Sequence, residues 1–379
     1  MAWDALAVYD TLSGGGSRAL RVDELCRLAA ERFPGLVPGA AELAAEAALP
    51  QRDKKGLEKA QGRFLAAVLA DPRAGTHLCR SMLLPREDSR MLLAEFEAKG
   101  VLELDGAHLA RRGKAAILTL RNPRYLNAED ETTLHGTEIA VDVALLDAKS
   151  ELVVLRGDTV THTKHAGKRV FGAGINLTHL YQGKIRYLWY LIRDLGFVNK
   201  LYRGLALPGV HPEEGGVEKP CVAVLESFAI GGHCQILLAL DYVIAAGDAY
   251  MTLPARKEGI IPGAANLRLP RFVGPRLARQ AILAGRRLDC DSLEGRMICD
   301  EIVPVGEMDG AIARTISNLT DSGVVSAAGN RRALRSGEEP LDQFRRYMAV
   351  YAREQAVCHF SPALIANLEK HWDAANRRA

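Results

Sequence analysis

Two short glycine-bearing segments, Phe171-Gly172-Ala173-Gly174-Ile175-Asn176-Leu177 and Phe228-Ala229-Ile230-Gly231-Gly232-His233-Cys234-Gln235, carry the chemistry this sequence offers most directly. Each follows a strand-like stretch and leads into a helical run, so its backbone N–H groups open a helix and lack intrahelical partners. Glycine lets such a turn approach a ligand closely, and unpaired N–H groups favour negative charge. Two turns converging on one oxygen would stabilise an oxyanion, whereas one alone is common structural punctuation. Other patterns carry less. Gly14-Gly15-Gly16-Ser17 lacks the Gly-Lys-Ser/Thr of a phosphate loop and reads as a flexible turn. His162 and His165 have no carboxylate or cysteine nearby in their segment and read as solvent-exposed loop histidines. Gly172-x-Gly174 lacks the third glycine and the acidic ribose partner of a dinucleotide site, which argues against a nicotinamide oxidoreductase.

The elements that must position these turns follow from pattern and length. At 379 residues the chain predicts two or three units, at one domain per roughly 100 to 200 residues. Apolar residues are 48% and charged residues 25%, with a formal net charge of only +3, so the composition is that of a soluble globular protein without general affinity for polyanions. Met1-Ala2-Trp3-Asp4-Ala5 lacks a basic start followed by an apolar run, and no stretch approaches a membrane span. The seven scattered cysteines, odd in number and without a C-x-x-C pair, fit a reduced, cytoplasmic setting. From Val22 to about Gly100 apolar residues recur at helical spacing, broken at Phe33-Pro34-Gly35 and Pro38-Gly39. Residues 1–112 therefore read as an N-terminal helical region. Ala115–Leu120, Leu152–Leu155 and Cys221–Leu225 read as buried strands alternating with helices near 128–148 and 236–240, which makes 113–308 an α/β core. From Asp309 to the end, 309–379, the pattern is helical again.

Here the order of motifs becomes specific. Asn122-Pro123-Arg124-Tyr125-Leu126-Asn127-Ala128, the two glycine segments, Asp241, Pro254 and Gly259-Ile260-Ile261-Pro262-Gly263-Ala264-Ala265-Asn266 follow one another at spacings that resemble the crotonase (enoyl-CoA hydratase/isomerase) superfamily across about residues 115 to 305. The resemblance implies a spiral core of repeated ββα units that binds an acyl-CoA thioester. It also implies that the N–H groups of Ile175 and Gly232 surround the thioester oxygen and stabilise an enolate, each contributing roughly 3 kcal/mol. Arg124 and Arg169 fall where family members often place cations near the CoA phosphates. The family's assembly as trimers or pairs of trimers implies a homo-oligomer, with the C-terminal helices supplying contacts or covering the pocket.

Departures from the family pattern narrow the reaction. Hydratases of the superfamily carry two glutamates that handle water; the matching positions here are Gln235 and Ala255. An amide and a methyl cannot exchange protons at useful pKa values, so hydration by that mechanism is not expected. The run Phe171 to Lys184, continued by Tyr187-Leu188-Trp189-Tyr190 and Phe197-Val198-Asn199-Lys200, resembles the 3,5-dihydroxyphenylacetyl-CoA dioxygenase branch, which serves glycopeptide-antibiotic pathways. That branch implies conversion of the aryl-acetyl-CoA and O2 to 3,5-dihydroxyphenylglyoxylate and CoA without metal or flavin. Glu129, Arg193 and Gln235 are the expected contacts to the two phenols, with Arg186 and Arg203 as alternatives to Arg193. His233 is expected to pack rather than to act, because the hole needs its neighbour's amide and not a side chain. No proton acceptor is evident. The alternatives are another crotonase reaction, such as thioester hydrolysis or isomerisation, and a non-catalytic CoA-binding protein.

Overall fold

The computed structural model describes residues 4–211 and 213–377; Met1 to Trp3 of the amino-terminal segment read above lie outside them. Six helices come first, α1 (Ala5–Ser13), α2 (Val22–Arg32), α3 (Ala40–Ala47), α4 (Lys59–Ala70), α5 (Pro72–Leu83) and α6 (Glu87–Lys99). Asp71 shows why the chain breaks where it does: its side chain accepts the Ala74 N–H and Pro72 occupies the first turn of α5, where a missing N–H costs nothing.

Residues 101–112, expected to belong to a helical region, form a hairpin instead. β1 (Val101–Leu104) and β2 (Ala107–Arg112) are joined by Asp105-Gly106, and β2 pairs antiparallel with β3 (Ala115–Leu120). Gly106 has φ +80, the conformation an Asp-Gly hairpin turn demands, and it packs on Thr133 so closely that a methyl there would stand 2.5 Å from the threonine side chain. Both connections are two residues long, Asp105-Gly106 and Gly113-Lys114, so the strands form a local meander whose Asp-Gly turn and alternation were present in the sequence.

The chain then alternates through α7 (Glu131–Leu146), β4 (Leu152–Gly157), α8 (Leu177–Tyr181), α9 (Leu188–Leu195), α10 (Phe197–Arg203), β5 (Cys221–Leu225), β6 (Phe228–Ile230) and α11 (Gly232–Leu237). It continues through β7 (Tyr242–Ala246), β8 (Tyr250–Thr252), α12 (Ala255–Glu258), α13 (Ala265–Ala284), β9 (Leu288–Asp289) and β10 (Glu301–Val303). Four helices close it: α14 (Met308–Thr320), α15 (Val324–Glu338), α16 (Leu341–His359) and α17 (Pro362–Trp372). The main sheet has order β1-β2-β3-β4-β5-β7-β10 and is parallel from β3 onward. β5 is buried along its whole length, as a central parallel strand covered on both faces must be. A second sheet, β6-β8-β9, carries the strand that leads into the Gly231-Gly232 turn.

The N-terminal and C-terminal groups of helices pack on each other. α4 lies against α16 at Gly62, where a methyl would stand 2.6 Å from the Ala356 Cβ. A buried polar cluster ties α10 to α7: Lys200 Nζ reaches Glu138 at 2.8 Å and Asp142 at 2.7 Å, and Arg21 and Arg86 also pair with Glu138. The seven cysteines are free, six of them buried. Among the described residues no helix is long and apolar enough to cross a membrane. His162 and His165, expected in solvent, are half-buried, and His165 meets the Phe228 ring edge-on at 5.2 Å because its loop folds back over β6.

Candidate active site

One wall of the site is built from the Asn122–Glu129 segment. Asn127 adopts φ +56, accepts the Asn122 N–H on Oδ1 at 2.9 Å, and donates from Nδ2 to the carbonyls of Asp158 and Val170 at 2.8 Å each. That anchoring delivers Glu129 into a parallel bridge with Ile175. Glu129 donates its N–H to the Gly174 carbonyl and accepts the Asn176 N–H, both at 2.8 Å. Because Glu129 bonds to the residues on either side of Ile175, the N–H of Ile175 itself points the other way.

The second glycine turn lies against the first. Ile230 donates to the Gly172 carbonyl at 3.0 Å, and Gly231 donates to Thr252 at 2.9 Å, which leaves Gly232 at the start of α11. Gly174 has φ +76, and a Cβ there would stand 2.9 Å from the Ile230 oxygen and 3.3 Å from the Gly232 nitrogen. Only glycine fits this close approach. Among the described residues neither the Ile175 nor the Gly232 N–H has a protein acceptor, and both residues line one cavity with Trp189, Arg193, Gln235 and Tyr351.

His233 supports the turn from behind. Its Nδ1 accepts the Gly174 N–H at 3.0 Å, and a methyl at Gly172 would stand 2.2 Å from its ring. Burial pushes its pKa down to about 4, so it is neutral. With Nδ1 accepting, the ring proton sits on Nε2 and no basic nitrogen is free.

Arg193 lies at the centre of the polar groups. Its guanidinium forms a two-pronged pair with Glu129, Nε to Oε1 at 2.9 Å and Nη2 to Oε2 at 2.8 Å, and also bonds Asp194 Oδ1 and the Gly232 carbonyl at 2.8 Å each. Nη1 donates to Gln235 Oε1, while Gln235 Nε2 donates to Asp194 Oδ1 at 2.9 Å. An arginine can only donate and a carboxylate only accept, so the amide of Gln235 has one orientation that satisfies both neighbours. Burial opposes the charge on Arg193, but Glu129 and Asp194 outweigh it and raise its pKa. Phe197 and Trp189 cover the guanidinium at 5.3 and 5.9 Å.

Of the expected site residues, the fold brings Ile175, Gly232, Gln235, Glu129 and Arg193 together. Arg124 and Arg169 lie outside this cavity: Arg124 is exposed and stacks on Tyr125 at 5.4 Å, and Arg169 is half-buried, donating to the Gly157 carbonyl at 3.2 Å. Arg186 pairs with Glu131 and Arg203 with Glu339, so neither substitutes for Arg193 here. Three groups were missed. Asp194 follows Arg193 in a helix that reads as plain core. Tyr351 arrives from α16, far along the chain. Glu258 stands one helical turn after Ala255, and its carboxylate lies 3.8 and 3.9 Å from where a Cβ on Gly231 would be. The signal that could have found it is its place in the Pro254–Gly263 motif.

Matches to known proteins place the chain in a family. Residues 111–354 fit the family model described as enoyl-CoA hydratase/isomerase. The chain belongs to that family. It is 48% identical over 351 residues, 92% of this chain and 80% of the relative, to "(3,5-dihydroxyphenyl)acetyl-CoA 1,2-dioxygenase" of Amycolatopsis orientalis. It is also 26% identical to the short-chain-enoyl-CoA hydratase of Clostridium acetobutylicum over 62% of this chain and 83% of that one. Among solved structures, an enoyl-CoA hydratase from Mycobacterium avium subsp. paratuberculosis K-10 superposes with a TM-score of 0.58 at 19% identity, covering 73% of this chain and all of that one. The enoyl-CoA hydratase/isomerase fold is thus shared, while α1 to α6 lie ahead of the matched region.

The cavity has about 30 Å³ of free space, room for roughly one or two waters. An aromatic ring enters only if the side chains lining it move apart.

Proposed function

We propose that the chain converts 3,5-dihydroxyphenylacetyl-CoA and O2 to 3,5-dihydroxyphenylglyoxylate and CoA, without a cofactor, through an enolate held by the Ile175 and Gly232 amides. What carries this reading is the pairing of two acceptor-free amides in one cavity with the absence, at Gln235 and Ala255, of the two carboxylates a hydratase would use. The name of the Amycolatopsis relative supports the substrate and the oxygen chemistry.

The chemistry follows from the groups present. Loss of an α-proton beside the thioester carbonyl puts negative charge on its oxygen, where prearranged donors lower the barrier most. The aryl ring spreads that charge and makes the α-carbon electron-rich enough to reduce dioxygen. The peroxide that forms attacks the thioester carbonyl, CoA leaves, and the ring-strained product opens to the α-keto acid. Glu129, Arg193 and Gln235 receive the two phenol groups, which exchange with hydrogen bonds the three now make to one another. Arg124 and Arg169, outside the cavity, remain the cations for the CoA phosphates. Self-association is part of the proposal, as a trimer or hexamer: the exposed apolar side chains Leu283, Leu293, Met297, Val305, Val325 and Leu334 fall within one stretch, 283–334. A reduced, cytoplasmic setting and a place in glycopeptide-antibiotic formation complete it.

An oxygen electrode tests the reaction on metal-stripped protein, with CoA release read as free thiol. One O2 should disappear per thiol released, with chelator present. A thioesterase would release thiol and consume no oxygen, and a silent CoA-binding protein would give neither signal.

A further inference from the structure

We infer that the Glu258 carboxylate is the base that removes the α-proton of the bound thioester. This rests on the enolate reading above and supplies its missing proton acceptor.

Glu258 ends the single-turn helix α12, between the Pro254 N-cap and Gly259, whose φ of +79 stops the helix. The turn aims the side chain into the cavity lined by Ile175, Gly231 and Gly232, and the residue as a whole is only 4% exposed. Among the described residues its carboxylate has no hydrogen bond and no counter-charge. A buried carboxylate without a partner costs stability, so one held beside a ligand cavity invites a functional explanation.

The other candidates are occupied. Glu129 and Asp194 are both committed to Arg193. His233 offers no free basic nitrogen and does not line the cavity. Tyr190 and Tyr351 line it, but burial raises both phenols far beyond any use as a base near neutral pH. Glu258 alone combines an open approach with a suitable affinity for protons: burial raises its pKa from 4.5 to about 7. The titratable groups lining the same cavity are Tyr190, Arg193 and Asp194 from α9 and Tyr351 from α16, none of them hydrogen-bonded to or ion-paired with Glu258, while α17 brings Leu364 and Asn367 against the end of α12.

The proton balance closes with this one group. Glu258 takes the first α-proton as the C–H electron pair moves onto the thioester oxygen. After O2 adds and the peroxide displaces CoA, the departing thiolate takes that proton. Ionised again, Glu258 removes the second α-proton as the O–O bond breaks, leaving the ketone and a carboxylate. The α-carbon is oxidised by four electrons, and O2 is reduced by four, one oxygen atom ending in each new group.

The test is α-hydrogen exchange without oxygen. Full-length protein is incubated with 3,5-dihydroxyphenylacetyl-CoA in D2O under argon, and deuterium at the α-carbon is read by mass spectrometry. Wild-type protein should exchange, with a rate that falls as pH drops below about 7. Glu258→Gln should exchange about 10² to 10⁴-fold more slowly while still binding the thioester, and Glu258→Asp should recover part of the loss. A thermal melt of each variant verifies folding. An unexchanged wild type, or a folded and thioester-bound Glu258→Gln that exchanges at the wild-type rate, overturns the assignment. If wild type exchanges and Glu258→Gln does not, yet no oxygen is consumed in air, the base stands and the dioxygenase reading falls. Oxygen consumption by a Glu258→Gln variant that exchanges normally has the reverse meaning.

Discussion

Arg193 and Glu129, 64 residues apart in the chain, meet edge to edge inside the protein, two N–H groups against two carboxylate oxygens at 2.9 and 2.8 Å. This pair stands against the second glycine turn, because the same guanidinium also holds the Gly232 carbonyl. Its geometry therefore couples the proposed phenol contacts to the position of the Gly232 amide.

Removing the arginine leaves Glu129 and Asp194 buried without their cation. Arg193→Ala should lose about 3 to 5 kcal/mol of stability in urea unfolding, the range for breaking a buried pair from one side. Arg193→Lys keeps the charge but not the fork, so it should fold better than the alanine variant and still turn over slowly. A lysine variant with wild-type kcat/KM would mean that the planar pairing is not needed.

Gly174→Ala tests the contact between the two turns. Alanine at φ +76 is strained, and its methyl would press on the Ile230 oxygen and the Gly232 nitrogen. Turnover should fall more than thioester affinity does. Gly232→Pro deletes an N–H at the first helical position and should lower kcat by about 10²-fold or more. Because a Cβ there would stand 3.1 Å from Arg193 Nη2 and Glu129 Oε2, the melting temperature should fall too, and a melt with a thioester-binding measurement separates the two effects.

Gln235→Glu alone should not produce a hydratase. The new carboxylate would face Asp194, to which the amide now donates at 2.9 Å, so a favourable bond becomes a like-charge contact. Ala255 would still supply no carboxylate at the hydratase position, and Glu258 stands a helical turn further on, at the end of α12. Rapid water addition to crotonyl-CoA by this variant would show that the pair of glutamates is not required.

Glu258 also predicts a pH-dependent stability. Its pKa is higher in the folded protein, about 7, than the 4.5 of an unperturbed glutamate, so the unfolded chain gives up the proton first as pH rises. The group costs nothing well below pH 4.5, costs progressively more up to about 7, and costs a constant amount above that. The displacement from 4.5 to about 7 sets an upper limit of about 3 kcal/mol. Glu258→Gln should therefore be more stable than wild type at pH 8 and lose that advantage by pH 4, as measured by denaturant unfolding. Equal gains at both pH values would contradict the raised pKa.

Much of this protein was legible from local pattern. The strands Ala115–Leu120 and Cys221–Leu225 are apolar runs bounded by turns, and both form where expected. The glycine segments were legible because a close backbone approach admits no other residue, and Gln235 and Ala255 announced a departure from hydration by residue type alone. The hairpin at 101–112 was legible as well, in its Asp105-Gly106 turn and alternation, but it follows directly on the helical stretch and was grouped with it.

Residue identity and order therefore determined the family, the two turns and the missing glutamates, since these depend on chemistry repeated at fixed spacing. Tertiary structure alone decided which of Arg186, Arg193 and Arg203 faces the cavity, that Asp194 completes its network, and that Glu258 stands there unpaired. Burial and partnership are sums over distant segments: α9, α11, α12 and α16 must all arrive before any one of these charges has a defined environment.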